Sequence, residues 1–132
     1  LDELTASLAC ARISDEDKEM LVKACHDFED AVGSADLRKI ASADVEFHDI
    51  ILKAANNLRL SQIVNNLAEQ MYRYRFEYIK DSTRWSCLIA EHRMITDAIL
   101  KGDSELAVNA IHVHIKNQEN SILRTIRKEK QE

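Results

Sequence analysis

A single all-α antiparallel bundle of about six helices is the fold this chain predicts, and three observations predict it. The 132 residues hold no proline and two glycines, so little interrupts a helix. Apolar residues recur three and four apart in each long segment, the mark of an amphipathic helix, and no stretch reads convincingly as a strand. With 45% apolar and 31% charged residues, the composition is that of a soluble globular protein. A chain of this length makes one domain able to bury around two-thirds of its unfolded surface.

The first segment, "LDELTASLACARIS", has helical periodicity at Leu1, Leu4, Leu8 and Ala11/Arg12. It begins with a leucine and is already periodic, so the chain reads as a piece of something longer. In "SDEDKEMLVKACHDFEDAV", Ser14 is the N-cap, acids fill the first turn, and Leu21, Val22, Cys25, Phe28 and Val32 form the apolar side, up to a stop at Gly33. A third helix is expected from about Asp36 to Ala55, with Leu37, Ile40, Phe47, Ile51 and Ala54 on one side. After "NNLRLS", a long fourth helix carries Ile63, Leu67, Met71, Tyr74 and Tyr78 to about Lys80. "DSTR" breaks the pattern, Trp85 to Leu100 resumes it, "KGDS" makes a turn, and a last helix runs from about Ser104 to Arg127. There is no internal repeat and no low-complexity linker.

A net charge of -5 argues against wrapping nucleic acid, which takes clustered lysine and arginine. The one dense basic run, Arg124 to Lys130, is interleaved with glutamate and reads as a solvated helix end. No stretch approaches the roughly 18 apolar residues that span a bilayer, and no signal-peptide pattern is present, so a cytoplasmic location is expected. Cys10, Cys25 and Cys87 are odd in number and far apart. They fit a reducing compartment and read as small core fillers.

The chemistry lies with the histidines. Ile40, Phe47, Ile51, Ala54 and Leu58 fall within about 40° of one direction around a helix axis, with Asp44 about 40° and His48 about 80° from Ile40. An acid and an imidazole stacked one turn apart on the flank of a buried face can point at a common target. His92 follows Leu88 by one turn and precedes Ile95 and Ile99; His114 shares its stripe with Ala107, Ala110, Ile111 and Ile122. Both point into the bundle. Two other histidines serve as controls: His26 lies beside Glu29 and Asp30 on a polar side, and His112 falls about 160° around the axis from His114.

Burying three imidazoles and a carboxylate without joint use costs several kcal/mol. A divalent metal removes that cost, and one carboxylate oxygen with three imidazole nitrogens suits zinc or nickel, with manganese or iron also fitting. A metalloenzyme is disfavoured. Di-iron carboxylate bundles use glutamates in E-x-x-H pairs, none occurs here, and Glu91 points about 100° away from its neighbour His92.

Three stretches in this order and at these intervals, "LTASLACAR", "ADVEFHDIILKAANN" and "AEHRMITDAILKGDSELAVNAIHVHI", resemble the effector-binding FCD domain found C-terminal in FadR-type members of the GntR family of bacterial transcription regulators. The resemblance covers essentially the whole chain. Its most specific parts are D-x-x-F-H followed by N, and EH-x-x-I-x-x-A-I-x-x-GD-x-x-x-A ending in a histidine. It implies an FCD-like ligand-binding and dimerisation domain over residues 1–132, with a winged helix-turn-helix DNA-binding domain upstream in the full-length protein and operator DNA contacted only through that domain. It implies Asp44, His48, His92 and His114 as the metal ligands, with His112 where the family carries a non-ligand.

The effector is then a small organic acid, no enzymatic activity is expected, and the working form is a homodimer off the membrane. Donors for the acid are sought on the inward side of the fourth helix at Gln70, Arg73, Tyr74 and Arg75, with Arg84 and Asn57 beside them. The competing reading is a structural or dimerising helical module in which a metal only stiffens the core.

Overall fold

The computed structural model describes residues 1–131, and among them it holds seven α-helices, one 3-10 turn and no strand. They are α1 (Asp2–Arg12), α2 (Asp15–Ser34), α3 (Leu37–Ala55), α4 (Leu58–Asn66), α5 (Ala68–Ile79), a 3-10 turn at Ser82–Arg84, α6 (Trp85–Lys101) and α7 (Ser104–Gln131). Short polar caps separate them. The Asp17 N–H donates to Ser14 Oγ at 3.1 Å, Arg38 N–H to Asp36 Oδ1 at 3.0 Å, and Leu60 N–H to Asn57 Oδ1 at 3.0 Å. Each fills a donor that the start of a helix leaves open.

α3 lies between α1 and α2, and α6 and α7 close the bundle, with α5 against α3 and α7. One apolar cluster joins α1, α2, α3, α6 and α7 through Ala6, Leu21, Phe47, Ile95, Ile99 and Ile111. A second gathers Phe28, Ile40, Tyr78, Ile79 and Leu88. His92 stands where they meet, its ring stacked on Phe47 with centroids 4.1 Å apart and close to Phe28 at 4.2 Å.

Several elements differ from the sequence expectation. The long fourth helix is two helices: at Leu67 the backbone turns to φ −101°, ψ 3°, and its N–H reaches Val64 O at 3.0 Å in a tighter turn. Asn65 and Asn66, whose side chains compete with the backbone for hydrogen bonds, precede the break. The break divides the expected stripe, so Tyr78 is buried while Ile63, Leu67 and Tyr74 are exposed. The stripe on α1 also faces out, with Leu4 52% exposed, while Thr5, Ala6 and Ala9 are buried. Small residues let α1 lie close against α3 and α7.

Helix α2 passes through Gly33 and ends at Ala35, which takes the left-handed conformation (φ 56°) a glycine would favour. Asn56, also left-handed, ends α3, so Leu58 starts the next helix and is 76% exposed rather than continuing the buried face. Cys87 is exposed and Cys10 half-buried, leaving Cys25 as the cysteine that fills core. The basic run after Arg124 is exposed, and no described helix is long and apolar enough to cross a membrane.

Candidate metal centre

Three helices bring Asp44, His48, His92 and His114 together. Asp44 and His48 stand one turn apart on α3, His92 is mid-α6 and His114 mid-α7. Asp44, His92 and His114 are buried, and 8% of the His48 side chain is exposed. The three ring centroids form a near-equilateral triangle with sides of 5.8, 5.8 and 5.6 Å. One nitrogen from each ring lies within 4.8 Å of the other two.

Asp44 closes one side of this triangle. Its Oδ1 lies 3.4 Å from His48 Nε2 and 3.1 Å from His92 Nε2. Neither approach is aligned as a hydrogen bond, and Asp44 Oδ1, His48 Nε2 and both His92 nitrogens have no hydrogen-bond partner. Four orphaned polar atoms inside one bundle would be costly if left so. Three imidazole nitrogens and one carboxylate oxygen are the donor set of a borderline divalent cation, so these residues fit a metal.

Electrostatics favours the metal-ready state of Asp44, His48 and His92. Burial, helped by the Arg75 charge, lowers His48 to about 4 despite Asp44 beside it. Burial likewise lowers His92. Burial works against the Asp44 anion, but the His48 and His92 rings outweigh it and hold the carboxyl well below its ordinary range. At neutral pH the His48 and His92 rings are unprotonated and the Asp44 carboxylate is charged, as metal ligands must be.

Glu91 is what sequence reasoning missed. It does point away from His92, but toward α5 and α7, where it is buried and lies 2.6 Å from His114 Nδ1. Tyr78 Oη donates to its other oxygen at 3.0 Å, and Asn117 donates to that oxygen at 3.4 Å. A carboxylate oxygen only accepts, so the His114 proton sits on Nδ1 and Nε2 keeps its lone pair toward the cluster. The buried Gln118 amide lies 3.4 Å from that Nε2. A signal for Glu91 was present in its spacing of three after Leu88 and four before Ile95, which puts it on the apolar stripe.

The nominated acid-binding residues divide. Arg75 lines a cavity of about 30 Å³ beside His48 and Asp49. Gln70, Arg73 and Tyr74 line an exposed groove between α5 and α7 that none of the four cluster residues reaches, and Arg73 pairs with Glu69 there. Asn57 is occupied as the α4 cap, and Arg84 is half-buried in the 3-10 turn. The controls His26 and His112 are exposed, with His112 Nδ1 3.1 Å from Glu3. A larger groove of about 420 Å³ between α2 and α6 is crossed by the Glu29–Arg93 ion pair and has no cluster residue in its wall.

The family model described as the FCD domain matches residues 1–117, a span that contains all four cluster residues.

Proposed function

The chain belongs to the FCD domain family, and on that premise we propose that it senses a small organic acid through a divalent metal held by Asp44, His48, His92 and His114. The observation that carries the reading is the set of orphaned polar atoms on α3 and α6 that converge with the buried His114 ring of α7 in one cluster. Bound there, the metal supplies a positive centre with coordination positions left for a carboxylate oxygen. The chain's own residues do the rest. Glu91, held by Tyr78, orients His114, and Phe47 and Phe28 fix the His92 ring.

Arg75, in the wall beside His48, is the donor proposed for the acid's carboxylate, since a planar guanidinium matches that group. Control of DNA binding is assigned in this reading to an upstream winged helix-turn-helix domain, in keeping with a net charge of -5 on this chain. Homodimer assembly belongs to the same proposal.

A second reading has one observation in its favour. The cavity beside His48 is about 30 Å³, room for about one water, which suits a metal that only stiffens the core.

Elemental analysis and melting of the purified chain test both. The proposal expects one metal per chain and a melting rise with an organic acid only when metal is present. Metal retained with no response to any acid leaves the stiffening role. His114→Ala should lose metal and acid response together, while His112→Ala keeps both; equal metal content in the two variants sinks the site.

A further inference from the structure

Arg75 and Asp2 both line the cavity beside His48, and there the guanidinium reaches Asp2 Oδ1, in the first turn of α1, at 3.4 Å. We infer that Asp2 is a built-in competitor for the carboxylate position at Arg75, so that an acid entering beside His48 displaces Asp2 and loosens the first turn of α1. This rests on the proposed function and adds how the site is coupled to the rest of the chain.

The contact is poised for exchange. Strong charge-assisted hydrogen bonds measure about 2.7–2.9 Å, and this one is longer. Asp2 engages the guanidinium through one oxygen, whereas the fork can take a carboxylate through two. Among the described residues no other hydrogen-bond partner of Arg75 is found, and only 14% of its side chain is exposed. The donors left over belong to a side chain that lines the small cavity beside His48.

That space is too small for a carboxylate as it stands. At about 30 Å³ it has room for about one water, so part of the wall must leave. Thr5, Ile51 and Ile111 are buried, but the Asp2 side chain is a quarter exposed and has water to go to. Asp49 is also in the wall and feels the Arg75 charge, so an arriving anion repels Asp2 in a space that already holds one acid.

Leaving costs α1 little. Asp2 and Glu3 sit in the first turn, where the helix dipole favours acids with or without Arg75. Leu1 and Leu4 face out and do not pin that turn. Glu3 holds the other side of the turn to His112 on α7, so the movement is a loosening about that point rather than release of the helix. The amide that reports it is Thr5 N–H, which donates to Leu1 O at 2.9 Å.

The test titrates metal-loaded wild type and Asp2→Asn with acetate and glycolate, and follows amide exchange at Thr5 and Ala6. Asp2→Asn should bind the acids about threefold to fivefold more tightly, the scale of one partly exposed ion pair, with metal content unchanged. Acid should speed Thr5 exchange in wild type and add nothing in the variant. In an Arg75→Gln background the Asp2 substitution should make no further difference. Equal affinity in wild type and variant, or Thr5 exchange untouched by bound acid, overturns the inference and leaves the sensor reading standing. Binding of neither acid by metal-loaded protein overturns both.

Discussion

Glu91 and His114 share a 2.6 Å contact at the floor of the histidine cluster, and Tyr78 holds the far oxygen of the same carboxylate. Partners of this kind fix a ligand's tautomer and raise its basicity, and removing one costs about 10- to 100-fold in metal affinity. Glu91→Gln keeps the volume and an acceptor but gives up the charge, so metal affinity should fall within that range while the fold survives. Competition against a metal-chelating dye measures it. Tyr78→Phe should give a smaller loss in the same assay, because it frees Glu91 without removing it. If Glu91→Gln holds metal as wild type does, Glu91 is a core hydrogen-bonding group and no more.

Among the helices, the ends decide where the site residues sit. Ala35 and Gly102 both take left-handed backbone after α2 and α6. That conformation costs an L-residue roughly 1–2 kcal/mol, and glycine nothing of the kind. Ala35→Gly should therefore stabilise the chain by up to about 1 kcal/mol, since glycine's greater unfolded freedom takes back part of the gain. Gly102→Ala should lose about 1 kcal/mol or more. The added Cβ would meet Cys10 O at 3.8 Å, an ordinary contact, so its cost is backbone strain and not a clash. Urea unfolding of both variants checks the opposite signs; two changes of the same sign would contradict this account.

For the whole molecule, the proposed metal would compete with protons for the same interior. Metal at a hundredfold excess over its Kd should add about 2.7 kcal/mol, seen as a rise in Tm that chelator reverses. In chelated protein the pH dependence follows from His48, which titrates at about 4 when folded against 6.5 ordinarily. The unfolded chain binds more protons across that window, so stability rises as pH climbs through it and is lost as pH falls. His92, also lowered by burial, acts in the same sense. Urea midpoints of the chelated chain should drop from pH 7 to pH 5, and a flat profile would mean these rings are not buried neutral.

The sequence by itself determined that the chain is helical, where the helices roughly run, and which way Asp44, His48, His92 and His114 point. The reason is local: a period of 3.6 residues fixes the direction of a side chain relative to apolar neighbours on its own helix. Those four directions meet in one place because α6 packs on α7, and α3, held by α1 and α2, turns its apolar side to the same core. What only the tertiary structure decided is which apolar stripe is covered. Leu1 and Leu4 lie on a regular stripe yet face out, because the small side of α1 fits closer to its neighbours. Helix α6 is covered over an arc wide enough to bury Glu91 as well as His92, so a charged residue beside His92 became that cluster's support. Arg75 and Asp2 meet from opposite parts of the chain across a break at Leu67 that periodicity reads straight through. Periodicity describes one helix at a time, and pairing, closeness and enclosure are properties of helices together.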